Sequence, residues 1–279
     1  MKTSILLTDL CFTEGPRWRN GRLYFSDFYR HEVLSVDDAG NLSIICRVEA
    51  QPSGLGWLPD GRMLIVSMLD RRVLRLEPDG RLEVHADLNA IATSNCNDMV
   101  VDKLGRAYVG NFGYNRHAGE TPKAADLARV DPDGSVHRVA TGLRFPNGAV
   151  ITADGKSLII GETHANRMTR FDINPDGSLS NRRLWSDVSP HRPDGCCLDA
   201  QGAIWVADPG GKCVVRVAHG GGILQRIDTE HSAFACMLGG ADGRTLFICT
   251  APDSGPAAAT NRAGRIETVR VEVPHAGLP

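Results

Sequence analysis

The stretch GLGWLPDGRMLIVS at residues 54–67 decides the fold, because the same phrase recurs along the chain. It consists of a short apolar run, a turn in which Asp precedes Gly, and a second apolar run. Related stretches occur at residues 15–27, 99–111, 148–162, 195–208 and 236–250. Asn-Gly and Asp-Gly pairs supply the positive φ values of tight turns, so each stretch predicts a β-hairpin.

The spacing of the turn glycines predicts how many hairpins the fold repeats. Six such glycines stand 40, 44, 50, 47 and 41 residues apart, at Gly21, Gly61, Gly105, Gly155, Gly202 and Gly243. A third apolar run follows each hairpin, and a fourth closes most units. Four strands in each of six units of about 45 residues predict an all-β fold, a six-bladed β-propeller with four-stranded antiparallel blades. A β-sandwich would not repeat one phrase six times, and the coils of a parallel β-helix are much shorter.

The two ends of the chain predict how the ring closes. The last unit lacks an outer strand, and residues 3–8 form an extra apolar run before the first unit. We therefore expect the N-terminal strand to complete the last blade. The whole length is then used by one propeller domain spanning residues 1–279.

Composition excludes several classes of partner. The formal net charge of −2 gives no electrostatic attraction to nucleic acid or to an anionic membrane. No apolar run approaches the ~18 residues that a membrane span needs, and Asp9 interrupts the N-terminal apolar stretch before it could serve as a secretory signal. The eight cysteines show no CxxC spacing. We expect a cytoplasmic protein with reduced thiols and no nucleic-acid or membrane partner.

The starts of the first strands predict a metal site. In a propeller these strands line the central channel and begin on one face. Aligned on the turn glycines, the residues at their starts are Glu14, Ser53 or Gly54, Asn97 or Asp98, Asn147, Asp194 and Ala235. Four of the six units carry hard oxygen donors there, and such groups are not buried around a narrow axis without a compensating cation. They suit Ca²⁺, Mg²⁺, Mn²⁺ or Fe²⁺. The alternative is that Asn147 and Asp194, each between Pro and Gly, are turn residues only.

The second strands end on the same face and predict substrate contacts. Asn111 and Glu162 stand at such ends, and His164 follows Glu162 closely. The loops at 111–126 and 250–264 are unusually long, and long loops in a compact repeat are commonly functional walls or lids. In the first loop, Tyr114 and Arg116 are the candidate substrate contacts.

Several motifs resemble one known family over nearly the whole chain, the senescence marker protein, gluconolactonase and luciferin-regenerating-enzyme family. The motifs are EGPRW at 14–18, Asn97-Asp98 with the VVDKLGRAYVGN that follows closely, FPNG at 145–148, PDG at 193–195, IWVAD at 204–208 and CMLGG at 236–240. The resemblance implies a six-bladed propeller with one catalytic divalent metal, held by the residues that match Glu14, Asn147 and Asp194. Asn97 matches a residue that reaches either the metal or the substrate.

The resemblance also has implications for substrate binding. In sugar-lactonase members an arginine that holds substrate hydroxyl groups stands two residues before the match to Asn97. Here that position is Asn95, which we expect to contact substrate in its place. Tyr114 and Arg116 likewise replace a plain acidic contact.

The function implied is hydrolysis of a small lactone, sugar-type or related, to a hydroxy acid. One divalent cation would polarise the carbonyl group, with Ca²⁺ expected before Zn²⁺, Mg²⁺, Mn²⁺ or Fe²⁺. Asp194 would assist water attack, as a general base or as a ligand that orients the water. Two alternatives stay open: hydrolysis of an aryl ester or organophosphate at the same site, and a non-enzymatic calcium-binding propeller that contacts a protein partner.

Overall fold

The computed structural model describes residues 1–115 and 118–279, and it has the predicted architecture. Twenty-four strands form six four-stranded sheets, and each sheet is antiparallel throughout. The first strand of each sheet packs against the first strands of the two neighbouring sheets, so the six innermost strands surround a central channel. The prediction of a six-bladed propeller is confirmed.

The first three blades follow the chain order from the channel outward. Blade 1 contains β2 (Thr13–Arg19), β3 (Arg22–Asp27), β4 (Glu32–Asp37) and β5 (Leu42–Arg47). Blade 2 contains β6 (Pro52–Trp57), β7 (Met63–Ser67), β8 (Arg72–Leu76) and β9 (Leu82–Asp87). Blade 3 contains β10 (Cys96–Val101), β11 (Ala107–Asn111), β12 (Ala125–Val130) and β13 (Val136–Leu143).

The remaining blades repeat this order, except that the outermost strand of the last one comes from the N-terminal segment. Blade 4 contains β14 (Pro146–Ile151), β15 (Ser157–Glu162), β16 (Arg167–Ile173) and β17 (Leu179–Asp187). Blade 5 contains β18 (Cys196–Leu198), β19 (Ile204–Asp208), β20 (Cys213–Val217) and β21 (Ile223–Asp228). Blade 6 contains β22 (Ser232–Gly239), β23 (Thr245–Ala251), β24 (Gly264–Arg270) and β1 (Ser4–Leu10).

The expected ring closure is confirmed by the pairing of β1 with β24. The register runs from Ser4 opposite Thr268 to Leu10 opposite Gly264. Residues 271–279, which sequence reasoning left without a role, cross to other blades: Leu278 pairs with Ile151 and His275 with Asp199.

The hairpins and the core follow from the repeated phrase. Asn20 and Gly21 have φ values of 50° and 76°, the positive pair that a type I′ turn requires between β2 and β3. The apolar residues on either side are buried between neighbouring blades, so that Val66 of blade 2 and Val101 of blade 3 belong to one cluster. All eight cysteines are free thiols.

Helical structure is minor in the part of the chain described. It consists of a 3-10 turn at Thr163–Ala165 and α1 at Ala258–Asn261. No helix among the described residues is long and apolar enough to cross a membrane.

Candidate active site

A break in strand register follows the start of the first strand in five blades. The breaks lie between Glu14 and Arg17, Pro52 and Leu55, Cys96 and Met99, Pro146 and Ala149, and Ala233 and Ala235. In blade 5 the strand begins only at Cys196, after Asp194. Bulges of this kind bend a strand and re-aim side chains, and they are frequent next to active sites. They allow the residue at each strand start to leave the sheet pattern and face the channel.

Glycine after the strand start brings neighbouring first strands close together. A Cβ atom on Gly54 would lie 2.4 Å from the backbone nitrogen of Met99, and one on Gly148 would lie 2.6 Å from the carbonyl oxygen of Asp194. No side chain fits in these gaps. The missing side chains let the backbones approach, so the residues at the strand starts converge near the axis.

The four oxygen-bearing residues proposed at the strand starts all line one cavity of about 220 Å³ at this end of the channel: Glu14, Asn97, Asn147 and Asp194. They come from blades 1, 3, 4 and the start of blade 5, and each is less than a tenth exposed. Asn97 Nδ2 donates a hydrogen bond to Asn147 Oδ1 at 3.0 Å. The structure thus brings together the set that the sequence analysis proposed as metal ligands.

Thr163 orients Asn147, and sequence reasoning missed it. Its hydroxyl donates to the Pro193 carbonyl oxygen at 2.6 Å and accepts from Asn147 Nδ2 at 3.3 Å. Because the hydroxyl proton is directed to Pro193, the threonine oxygen can only accept from the amide. The amide oxygen of Asn147 is therefore left on the side of Asn97 and the cavity. In the sequence, Thr163 could have been identified by its position directly after the end of β15.

The cavity concentrates negative charge. Burial, followed by the nearby carboxylates of Asp194 and Asp98, raises the pKa of Glu14 well above its ordinary value. The cation closest in sequence, Arg17, is engaged by a buried ion pair with Asp98 at 2.6 Å and a hydrogen bond to the Leu55 carbonyl oxygen. The described residues that line the cavity include no Lys, Arg or His.

The donor set fits a hard divalent cation. Two carboxylates and the amide oxygen of Asn147 are oxygen donors, and oxygen is what Ca²⁺ and Mg²⁺ prefer. A bound cation would also offset the repulsion between the carboxylates of Glu14 and Asp194.

A second cluster has donors of a different type. Ligand atoms of His191, Asp208 and Cys213 lie within 4.8 Å of one another, and all three residues are buried. His191 Nδ1 already lies 2.7 Å from Asp208 Oδ2, and the other carboxylate oxygen accepts from the Arg192 N–H at 3.3 Å. Burial raises the pKa of the Cys213 thiol to about 11, away from the thiolate that binds metals. The hydrogen bonds account for the His191–Asp208 pair without a metal.

The ends of the second strands are turned towards their own blades. Glu162 is fully buried and is held by Arg167 at 2.9 Å and Arg182 at 3.2 Å. Asn111 donates to the Asp126 carbonyl oxygen and accepts from the Gly113 N–H. Neither residue lines the cavity, and the predicted contact of each with substrate stays a prediction.

The other predicted substrate contacts have different positions. Asn95 lines the cavity. Tyr114 is buried and packs edge-on against Phe145, with ring centroids 6.2 Å apart, while His164 stacks on Phe145 at 4.6 Å and is exposed. Both stand behind the cavity wall. Arg116 lies outside the described residues, so its predicted contact with substrate stays a prediction.

Aromatic residues form half of the rest of the cavity lining, and sequence reasoning missed them. The rings belong to Phe12, Phe28, Tyr29, Phe112, Phe145 and Phe234. Ser254 and Pro256 of the long loop at 250–264 also line the cavity, as expected of a loop that walls the site. In blade 6 the aligned residue was Ala235, but it is Phe234 that faces the cavity, while Ala235 packs against Gly195.

The sequence of the chain matches the family model described as "SMP-30/Gluconolactonase/LRE-like region" over residues 12–252. The chain belongs to this family. The match spans from Phe12, which lies before the first strand of blade 1, to the loop after β23, so it includes all four oxygen donors of the cavity.

Members of the SMP-30/gluconolactonase/LRE-like family resemble the chain over most of its length. The pentonolactonase XacC of Haloferax volcanii is 29% identical, with 92% of this chain and 87% of that protein covered. The 6-deoxy-6-sulfogluconolactonase of Pseudomonas putida is 28% identical, with 95% and 93% covered. The crystal structure of regucalcin from Agrobacterium tumefaciens superposes with a TM-score of 0.84 at 21% identity, over 100% of this chain and 96% of that one. This last likeness concerns the fold.

Proposed function

We propose that the protein is a divalent-metal-dependent lactonase that opens a small lactone to a hydroxy acid. The observation that carries the proposal is the convergence of Glu14, Asn97, Asn147 and Asp194 in one buried cavity of a family whose members include proteins named as lactonases. Glu14, Asn147 and Asp194 would hold the cation, with Ca²⁺ the first candidate from the donor set. When bound, such an ion supplies Lewis-acid polarisation of the lactone carbonyl group.

The side chains of the protein perform the remaining steps. The cavity holds the lactone with its carbonyl carbon near Asp194. A carboxylate oxygen of Asp194 accepts a proton from the attacking water, whose oxygen bonds to that carbon. The ring C–O bond then breaks and the proton passes to the leaving ring oxygen, so that one water is consumed and one hydroxy acid forms. A positioned base of this kind contributes about 10²–10⁴-fold.

The small cavity limits the substrate to a small lactone with at most one compact substituent. Ligand pockets commonly span roughly 300–1,000 Å³, whereas this one has about 220 Å³. Its position inside the mouth of the channel excludes bulk water from most of the donor set.

Hydrolysis of γ-butyrolactone with and without chelator tests the proposal. We expect activity to be lost in chelator and restored by one of Ca²⁺, Mg²⁺, Mn²⁺ or Zn²⁺, and to be abolished in Glu14→Gln, Asn147→Ala and Asp194→Ala. Asp38→Ala, at an exposed turn between β4 and β5, serves as the matched control and should retain full activity. Full activity of the metal-free protein would contradict the metal dependence. Calcium binding without turnover of any lactone or ester would favour the non-enzymatic alternative.

A further inference from the structure

We infer that this cavity selects a lactone that carries one flat apolar substituent and disfavours a polyhydroxylated sugar lactone. The inference rests on the proposed function, because it assigns a substrate class to the same site. The proposed substrate differs from the sugar lactones that the names of the relatives indicate. The inference depends on the side chains that surround the oxygen donors.

Two groups of packed aromatic rings form part of the cavity wall. Phe12 meets Phe28 and Phe234 edge-on, with ring centroids 5.0 and 4.7 Å apart. Phe112 and Phe145 stack in parallel at 4.8 Å. Each of these rings is less than a tenth exposed, yet all five line the cavity. The wall therefore offers ring faces and edges, which favour an aromatic or aliphatic group.

The backbone at Phe145 indicates that this wall is held in place by the fold. Phe145 has φ 60°, in the left-handed region that a bulky residue rarely adopts. Such a conformation is unfavourable and persists only where the surroundings impose it. Gln51, which stands before Pro52 as Phe145 stands before Pro146, also has a positive φ of 64° and also lines the cavity. The ring of Phe145 is thus fixed between Phe112 and His164 rather than free to yield to a polar ligand.

The cavity has few polar groups to spare for hydroxyls. Glu14, Asn147 and Asp194 are assigned to the cation and the carbonyl group under the proposed function, and the Asn97 amide donates to Asn147. The Tyr29 hydroxyl donates to the Ser254 carbonyl oxygen at 2.9 Å across the rim. Among the described lining residues this leaves the amides of Gln51 and Asn95 and the hydroxyl of Ser254.

A pentono-1,4-lactone carries two hydroxyl groups on its ring and a third on its hydroxymethyl group, and it cannot direct all three to one side. Those that face the phenylalanine wall lose their hydrogen bonds to water without replacement, which weakens binding. A phenyl group in the same place loses nothing and buries apolar surface. The cavity therefore disfavours hydroxylated lactones, because its phenylalanine rings cannot replace the hydrogen bonds that hydroxyl groups make with water.

Three γ-lactones with the same ring test the inference: γ-phenyl-γ-butyrolactone, ribono-1,4-lactone and unsubstituted γ-butyrolactone. Values of kcat/KM in the metal-loaded protein are divided by the rate constants of uncatalysed hydrolysis, which removes differences in intrinsic reactivity. We expect the phenyl lactone to exceed ribonolactone by at least about 10-fold. A ratio of one or less, with clear hydrolysis, overturns the substrate class and leaves the lactonase proposal intact.

Substitutions of the phenylalanines in the cavity wall test whether these rings cause the preference for the phenyl lactone. Phe112→Leu and Phe234→Leu should lower the phenyl-to-ribono ratio several-fold. Phe171→Leu, a buried phenylalanine of β16 that does not line the cavity, is the matched control and should leave the ratio unchanged. An equal ratio in all three variants and the unaltered protein would show that the wall does not select.

Binding of stable lactams separates the two proposals if no lactone is hydrolysed. Calorimetric titration compares 5-phenyl-2-pyrrolidinone with a trihydroxylated γ-lactam of the ribono configuration. Preferential binding of the phenyl lactam without any hydrolysis would refute the lactonase and retain the apolar selectivity. Preferential binding of the hydroxylated lactam, or no binding of either, overturns the selectivity.

Discussion

Two buried glutamates of this protein should respond oppositely to the same substitution. Glu14 lies among carboxylates, where burial, Asp194 and Asp98 raise its pKa. For Glu162, burial also raises the pKa, but hydrogen bonds from Thr169 and the Arg144 N–H and the charge of Arg167 outweigh this and lower it. The ionised form is therefore disfavoured by the fold at position 14 and favoured at position 162. In the presence of chelator at pH 7, Glu14→Gln should raise the melting temperature and Glu162→Gln should lower it.

The size of the second effect follows from the contacts of Glu162. A hydrogen bond to a charged group contributes about 1.5–3 kcal/mol, and Glu162 is held by Thr169, Arg167 and Arg182. Loss of the charge, with the amide oxygen retained, should remove about one such contribution. A change of 1 kcal/mol shifts the melting temperature of a protein of about this size by roughly 2–4 °C, so we expect a decrease of about 3–12 °C.

At acid pH, the difference in melting temperature between the unaltered protein and Glu162→Gln should become smaller. Because the pKa of Glu162 is lowered in the folded state, its contribution to stability is present above the ordinary pKa of 4.5 and is lost as the pH falls through the folded value. The difference in melting temperature should therefore be constant near neutral pH and shrink below about pH 4.5.

Added metal should reverse the order of the melting temperatures of the unaltered protein and Glu14→Gln. At a free Ca²⁺ concentration 100 times the dissociation constant, the unaltered protein gains about 2.7 kcal/mol, or roughly 5–10 °C. If Glu14→Gln weakens binding about 100-fold, the gain falls to about 0.4 kcal/mol under the same conditions. Thermal unfolding followed by circular dichroism, with chelator and with each of Ca²⁺, Mg²⁺, Mn²⁺ and Zn²⁺, measures both. A lower melting temperature of Glu14→Gln in chelator, or no stabilisation of the unaltered protein by any of the four ions, would refute the reasoning.

Two further changes test other parts of the structure. Thr163→Val removes the acceptor that orients the Asn147 amide and should weaken divalent-metal binding by about 10–100-fold in a calcium titration, whereas Thr163→Ser should bind as before; equal affinities would show that Thr163 has no part in positioning Asn147. Deletion of residues 1–9 removes most of β1 and leaves β24 with an open edge, so the melting temperature should fall by more than it does on deletion of residues 1–3, and an unchanged value would contradict the role of this strand in closing the ring.

The blades could be predicted from the sequence because their signals are local. Asn20-Gly21 and Asp60-Gly61 specify tight turns by their own φ preferences, and six such turns in phase define the ring. The donors could be placed for a related reason. A residue such as Asn147 or Asp194 followed by Gly marks a strand start where backbones approach closely, and that phase is visible in the sequence.

The surroundings of the donors could not be predicted, since they depend on contacts between blades. The break in register between Ala233 and Ala235 turns Phe234 to the cavity, and alignment on the turn glycine alone gave Ala235. Glu162 stands at the end of its strand as expected, but arginines at positions 167 and 182 hold it within the blade. Whether a side chain faces the cavity or stays within its own blade depends on which residues of neighbouring strands lie closest to it.

Phe234 stands in blade 6 where a polar residue could have stood, and this makes the donor set asymmetric around the channel axis. Six equivalent strand starts could have surrounded the axis with polar groups, but blade 2 offers the small Ser53 and blade 6 offers Phe234. Phe234 packs against Phe12 beside Glu14, so carbon replaces oxygen on one side of the ring. The oxygen donors come from blades 1, 3, 4 and 5, so a ring occupies the position that blade 6 would otherwise supply to the donor set. A single aromatic residue at a strand start thus makes the lining of the channel mouth chemically unequal around the axis.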